Sequence, residues 1–378
     1  MISFRILKQS TKSRARIGVL KTSHGDVETP TLVPVATQAA VKAMTVDQVL
    51  LAGTHMLIAN TYHLHLRPGE DIIRRSGGVH RFMHWERPLM TDSGGFQVFS
   101  HGFGKDFGIT KMAKGERRPE IRPGSQPIHL QIGENGVTFR SPVDGTKLFL
   151  GPKESMAIQA ALASDIAFAF DECPPPIATR AYHEESLERT HRWAEVCIRH
   201  HAKTQALYGI VQGGKYPELR KKSAKFIGGL PFDGFGIGGE FGPDRNKRER
   251  MLEAVFQELP EERPRHLLGT GYPEDILSII KAGVDTFDSI VPTHYARRGI
   301  AFTANGRLDL KKQSFLKDRR PLDPTCSCAT CAHYSRGYLA HLVRAHEITP
   351  LTLVSFHNLS WFHGRIADIR KKIRLGKI

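Results

Sequence analysis

Pro88-Leu89-Met90-Thr91-Asp92-Ser93-Gly94-Gly95-Phe96-Gln97 is a short apolar run that ends on an aspartate, with two glycines close behind it. Strand-compatible residues leading into a carboxylate beside a flexible turn are poorly arranged for stability and well arranged for chemistry. Taken alone, the aspartate reads equally well as a turn former, because Asp before Ser-Gly-Gly favours tight turns. Repetition along the chain decides between the two. Comparable runs span residues 31–37, 55–60, 88–92, 165–171, 207–212, 234–239, 266–271 and 285–290. Helical spacing follows most of them, over 45–52, 152–163, 216–227, 244–259 and 273–282. Thr45 and Asp244 suit N-caps, and Pro152, Pro217 and Pro273 suit first turns. Near-continuously apolar strands that each return through a helix predict an α/β protein with a parallel sheet covered on both faces. Eight such units predict a (β/α)8 TIM barrel. A doubly wound open sheet is the alternative, but no Gly-rich dinucleotide fingerprint opens the first unit.

In chain order the predicted strand ends carry Asn60, Asp92, Asp171, Gln212, Gly238-Gly239, Gly269 and Asp288. A barrel brings these C-terminal ends to one face, where active sites of this fold lie. Carboxylates, an amide and glycines from different strands would converge on one pocket, which moves Asp92 from turn former to functional group.

At 378 residues the chain can bury a large core. Lys plus Arg outnumber Asp plus Glu by 54 to 38, a net charge of +16. That excess points to a polyanion, nucleic acid before anionic membrane, with a merely solubilising surface as the bland reading. Arg5 and Lys8 interrupt any signal-peptide core, and the most apolar run, 157–170, is broken by Gln159 and Asp165. No membrane span and a cytoplasmic location are therefore expected.

Two stretches break the alternation. Residues 100–150 are too long for a βα loop. The second half, 136–150, reads as a β-hairpin turning near Asp144-Gly145; the first half is basic and Pro/Gly-broken and reads as a surface loop, with an RNA-facing role as the alternative. Beyond the eighth strand, within 312–360, Cys326, Cys328 and Cys331 form Cys-x-Cys-x2-Cys, with His357 26 residues later. Three thiolates and one imidazole would complete a closed, structural Zn2+ site, one per chain. His333, His341 and His346 lie nearby, but His357 sits in the apolar run Leu353-Val354-Ser355-Phe356, where a ligand is shielded. Cys197 falls on a long predicted helix, 181–201, and reads as core; Cys173, after Asp171-Glu172, reads as pocket lining.

These motifs, with Gly209-Ile210-Val211-Gln212-Gly213-Gly214 and Phe287-Asp288, closely resemble the tRNA-guanine transglycosylases over about residues 24–370. The resemblance implies a single zinc-containing barrel that replaces guanine at the tRNA wobble position, in G-U-N anticodons, with a free 7-deazaguanine base. It implies Asp288 as nucleophile and Asp92 as general acid/base, passing through a covalent ribosyl-enzyme. Asp171, Gln212 and Gly239, next to Gly238, would bind the base edge. Phe96 and Leu268 would sandwich the ring, Ser93, Gly94 and Gly95 would line the pocket, and Asn60 would orient the nucleophile. Gly269, Thr270, Gly271, Tyr272, Pro273, Glu274 and Asp275, with Thr293, His294, Tyr295, Ala296 and Arg297, match RNA-reading loops. A homodimer is implied, with the zinc subdomain near its interface.

Three departures stand out. His294 follows Pro-Thr where the family usually has Arg; Glu240 replaces a leucine and Gly242 a bulky residue of bacterial members; and the basic part of the insertion 100–150 is unmatched. Gly242 favours the larger base queuine, whereas Glu240 suits either queuine or 7-aminomethyl-7-deazaguanine. A non-catalytic RNA-binding paralogue is the competing reading, against which both Asp92 and Asp288 speak. An archaeal-type relative with extra C-terminal RNA-binding domains is a second, for which the end at Arg370-Lys371-Lys372-Ile373-Arg374 leaves no room.

Overall fold

The computed structural model describes residues 2–100, 130–239, 241 and 244–378. An antiparallel sheet of β1 (Ser3–Gln9), β2 (Arg16–Thr22) and β3 (Gly25–Thr29) precedes β4 (Thr31–Ala36), β5 (Leu57–Ala59) and β6 (Leu89–Thr91). A second antiparallel sheet follows, of β7 (Leu130–Gly133), β8 (Gly136–Arg140) and β9 (Lys147–Leu150). The chain then adds β10 (Ile166–Phe168), β11 (Ala206–Val211), β12 (Gly234–Ile237), β13 (Arg265–Leu267) and β14 (Thr286–Ser289). Parallel pairing runs β4-β5-β6-β10-β11-β12-β13-β14 and returns to β4 through Thr286↔Thr31, closing an eight-stranded barrel. All eight strands fall where the apolar runs predicted, though most are shorter. The paired ladder stops before Asn60, Asp92, Asp171, Gln212, Gly238 and Gly269, so those residues stand just above the last rung.

Alternation along each strand builds two layers. Val33, Ile58, Met90, Ile166, Phe168, Tyr208 and Ile210 fill the barrel, with Leu20, Val27 and Met56 beneath them. Their strand neighbours Leu32, Ala59, Leu89, Ala167, Leu207 and Phe287 pack outward against the helices. Each fully buried side chain of this size contributes about 1.5–3 kcal/mol. Glycine admits the two largest interior rings: a Cβ at Gly234 would meet Tyr208 at 2.5 Å, and one at Gly236 would meet Phe168 at 2.8 Å.

Helix starts follow the local chemistry. Thr45 forms a capping box with Gln48, Asp244 caps Arg245–Phe256, and Pro152 and Pro217 open their helices. Pro273 departs from the expectation. Its helix begins only at Ile276: Pro273 lies in the turn before it, closed by Asp275 N donating to Tyr272 O (2.9 Å), and the Asp275 carboxylate pairs with Arg245 (2.8 Å) and Arg248 (2.6 Å).

After the barrel, β15 (Ile300–Thr303) pairs with β16 (Gly306–Asp309), and short helices lead into the long helix Thr349–Arg374. Leu310, Leu322, Leu339 and Val354 form a satellite core there. Buried Asn358 stitches it to the barrel, accepting from Phe302 N (3.0 Å) and donating to Pro292 O (2.9 Å) and Ile300 O (3.0 Å). Among the described residues no helix is long and apolar enough to cross a membrane.

Candidate active site

Asp92 is held by the segment that follows the neighbouring strand. Its Oδ1 accepts from Thr61 N (2.9 Å) and Gly94 N (3.1 Å), and its Oδ2 accepts from Asn60 Nδ2. Asn60 also caps the helix Thr61–Leu66, accepting from His63 N at 2.9 Å. The amide expected to orient Asp288 thus bonds Asp92 instead, since β5 and β6 are barrel neighbours and β14 lies two strands from β5. Burial pushes the Asp92 carboxyl up to about 7 despite these donors, and the charge of Asp288 adds to the rise. A carboxyl poised there exchanges a proton near neutrality.

Asp171 is buried one strand further on. Its Oδ1 accepts from Ser93 Oγ (3.1 Å) and its Oδ2 from Gln212 Nε2 (2.7 Å). Burial raises its carboxyl to about 6, against those two hydrogen bonds. Glu172, its chain neighbour, turns away to Tyr182 Oη (2.7 Å) and Arg189 and belongs to the scaffold. Gly95 is required by approach: a Cβ there would lie 2.6 Å from Asp171 O. Gly239 combines φ +75° with a Cβ position 2.5 Å from Gln212 Oε1, so Gly238-Gly239 lies directly against that amide. Gln212 Oε1 is buried and has no hydrogen-bond partner among the described residues.

Beneath this pocket lies Arg220, which the sequence reading did not single out. It donates to Gly214 O (2.6 Å) and Gly238 O (3.0 Å), and its guanidinium sits 3.6 Å over the Phe241 ring. Burial lowers its pKa to about 9. Cys173, half-buried, is close enough for its charge to act on Arg220, and Cys197 is core, its Sγ accepting from Phe170 N at 3.2 Å. Phe96 is exposed and Leu268 half-buried, leaving apolar surface at the barrel mouth.

Asp288 rises from β14 with its side chain 14% exposed. Its Oδ1 accepts from Gly269 N (2.8 Å) and lies 3.2 Å from His266 Nε2. His266 is fully buried on β13 and was read only as a strand-starting residue. An apolar cavity of about 200 Å³ lined by Val41, Val49, Leu57 and Trp85, among others, lies apart from these carboxylates and has no titratable side chain in its lining.

The two loops expected to read RNA are only partly presented. Gly269 and Tyr272 are exposed, Thr270, Pro273, His294, Tyr295 and Arg297 half-buried, and Gly271 buried against Ser289. Thr293 and Ala296 are buried as well, because the short helix Val291–Ala296 turns them inward, Ala296 into the satellite core. Asp275 is committed to Arg245 and Arg248, and Glu274 to Arg307 at 2.6 Å, so these acids brace the loop rather than face a polyanion. Arg307 also stacks 5.1 Å from the Tyr295 ring and 5.9 Å from Tyr272. Arg297 keeps a buried Nη1 without a partner among the described residues. Glu240, Gly242 and the basic part of the insertion (101–129) lie outside the described residues.

Cys326, Cys328, Cys331 and His357 bring their ligand atoms within 4.8 Å of one another. His357 Nε2 contacts the Phe302 carbonyl at 2.8 Å, which fixes the proton there and aims the Nδ1 lone pair at Cys328 Sγ (3.5 Å) and Cys331 Sγ (3.2 Å). Three soft sulfurs, one imidazole and a carbonyl behind it fit a closed tetrahedral zinc site.

A family model described as "Queuine tRNA-ribosyltransferase" matches residues 10–378. Similar curated proteins carry the same name. One from Moorella thermoacetica is 46% identical over 379 residues, covering 100% of this chain and 95% of its own. Another from Natranaerobius thermophilus is 44% identical (98% and 95% covered), and one from Fusobacterium nucleatum is 43% identical (96% and 91%). With eight parallel strands closed into a barrel, acids gathered at its mouth and a Cys3His cluster beside it, the chain belongs to the queuine tRNA-ribosyltransferase family.

Proposed function

We propose that this protein replaces guanine in the anticodon loop of tRNA with a queuine-type 7-deazaguanine, by double displacement at Asp288 with Asp92 as general acid and base. The observation that carries this reading is Asp92, poised near neutrality and within the field of Asp288. In the first half-reaction an Asp288 oxygen forms a bond to ribose C1′, the C1′–N9 bond breaks, and its electron pair leaves with guanine, which takes the Asp92 proton. The incoming base returns a proton to Asp92 and displaces the carboxylate. This is the two-carboxylate logic of retaining glycosidases.

Asp171, ionised, accepts from the ring N–H edge of the base. Gln212 Nε2 has two protons and spends one on Asp171, so the second is available to the base carbonyl, beside Gly239 N–H. Phe96 and Leu268 supply the apolar faces. The base must leave the anticodon stack, at a cost of a few kcal/mol. Phosphate contacts from the +16 surface supply affinity, with half-buried Arg297, on the second loop matched to RNA reading, among them.

Zinc held by Cys326, Cys328, Cys331 and His357 closes the C-terminal subdomain and takes no part in a step. Metal analysis should find about one zinc per chain, and Cys328→Ser should lose metal and folding together. The protein is further proposed to act as a cytoplasmic homodimer. Incubation with labelled guanine and a tRNA bearing a G-U-N anticodon tests the activity, and competition between queuine and 7-aminomethyl-7-deazaguanine identifies the base. No exchange with any G-U-N tRNA, from folded zinc-loaded protein, would overturn the reading.

A further inference from the structure

We propose that His266 is a positioning residue that assigns different tasks to the two oxygens of Asp288: Oδ1 is anchored and Oδ2 attacks. This rests on the reading of Asp288 as nucleophile. His266 pairs with Thr286 across β13 and β14. Thr286 and Asp288, two apart on β14, project to one face, and the imidazole spans both. Its Nδ1 is 2.8 Å from Thr286 Oγ1 and its Nε2 3.2 Å from Asp288 Oδ1. A carboxylate can only accept, so Nε2 carries the proton, and the Nδ1 end of the ring pairs with the threonine hydroxyl.

The ring is fully buried, 5.3 Å from the Phe168 ring, and so has little freedom to swing. Gly269 N–H reaches the same oxygen at 2.8 Å. Two donors on Oδ1 fix the carboxylate plane about a torsion that is otherwise broad. Among the described residues no donor reaches Oδ2. In the displacement Oδ2 bonds to C1′, while Oδ1 becomes the ester carbonyl and still accepts from the same two donors. The anchor is therefore unchanged from free enzyme through intermediate, and alignment is set before substrate arrives.

The ring's two ends can be separated by substitution. In His266→Gln the amide nitrogen reaches about where Nε2 stood and keeps the Asp288 bond. In His266→Asn it stands nearer Nδ1, keeping the Thr286 side and losing Asp288. With the full-length zinc-loaded enzyme and tRNA, the rate of covalent adduct formation should fall about 100-fold in His266→Asn, an effect the size expected for misplacing a reacting group by ~1 Å. His266→Gln should stay within about 10-fold of wild type, with KM for tRNA unchanged in both. Thr286→Val, nearly isosteric, should slow adduct formation several-fold without changing KM, and serves should a histidine variant misfold. Equal rates in His266→Gln and His266→Asn, whether high or low, would show that the ring only fills space and overturn the proposal; so would a wild-type rate in Thr286→Val. Asp288→Asn run beside them keeps the readings apart. If it still forms adduct, the nucleophile is misassigned; if it forms none while His266→Asn matches wild type, only the positioning role fails.

Discussion

Aspartates stand at both ends of this barrel and are treated in opposite ways. At the N-terminal end Asp165, Asp233 and Asp285 precede β10, β12 and β14, and each accepts a backbone N–H from the first or second residue of the preceding strand in barrel order. Leu89 N reaches Asp165 (3.0 Å), Leu207 N reaches Asp233 (2.9 Å) and Arg265 N reaches Asp285 (2.8 Å). Asp165 also gathers Ser23 Oγ (2.7 Å), His24 Nδ1 (2.8 Å) and nearby His80, and these hydrogen bonds outweigh its burial and hold its carboxyl well below the ordinary range. Asp285 receives a two-pronged Arg16 at 2.8 and 2.6 Å. At the other end burial outweighs the hydrogen bonds of Asp92 and Asp171, and both carboxyls are pushed up. At the foot, Asp165 and Asp285 draw charged or imidazole partners and hold strands in register; at the mouth, neutral donors do not offset burial, and those carboxyls are available for protons and ligands.

The sharpest way to break this contrast is activity. Asp288→Asn should leave no detectable exchange, and Asp92→Asn should lose about 10²–10⁴-fold because the leaving base goes unprotonated. Asp165→Asn and Asp285→Asn, assayed per folded molecule, should exchange at near wild-type rates. Loss of chemistry from a folded Asp285→Asn protein would dissolve the distinction between the ends.

Stability should show the reverse order. Asp285→Asn strands the guanidinium of Arg16, 2% exposed, and should cost about 3–5 kcal/mol in urea unfolding. Asp165→Asn should cost about 1–3 kcal/mol through donors left unpaired. A cost below about 1 kcal/mol for Asp285→Asn would remove the structural role from that end.

A smaller effect is pH dependence at the mouth. Base recognition requires ionised Asp171, so it strengthens as pH rises through about 6. Base departure requires protonated Asp92, so it weakens as pH rises through about 7. Single-turnover exchange should therefore trace a narrow bell between those limbs. Asp171→Asn should remove the acid limb from what activity it retains, and a flat profile from about pH 4 to 9 (about two units either side of the limbs) would contradict both assignments.

The smallest effect is thermodynamic. Asp92 has a folded pKa above its ordinary 3.8. Between about pH 4 and 7 the folded protein therefore holds a proton that the unfolded chain has released, and this contribution to stability is lost as pH rises through 7. Asp92→Asn should melt at a higher temperature than wild type at pH 8, with the gap closing below pH 4. A gap that widened in acid would reverse the sign and refute the burial argument.

Much of the fold was legible because strand placement depends on local pattern. Eight apolar runs, helix caps at Thr45 and Asp244, and the Cys-x-Cys-x2-Cys knuckle each carry their meaning within a few residues. The misread features depend on distant partners. Pro273 reads as a helix first turn but lies in the turn before the helix, where Asp275 pairs with Arg245 and Arg248. Asn60 was matched to Asp288, but barrel adjacency put it against Asp92. His266, Arg220 and the anchoring of Asp165 and Asp285 left no local signature, since a histidine in a strand, an arginine in a helix or an aspartate before a strand is common for other reasons.

By itself the sequence determined the period and number of the strands, the residue type at each strand end and the spacing of the metal-binding thiols. All of these follow from side-chain alternation and near-neighbour geometry. Only closure of the barrel decided which partners meet each carboxylate, because burial and hydrogen bonding depend on strands far apart in sequence. Asp92 and Asp165 are the same residue in the chain; the packing around them makes one a poised acid and the other a clasp.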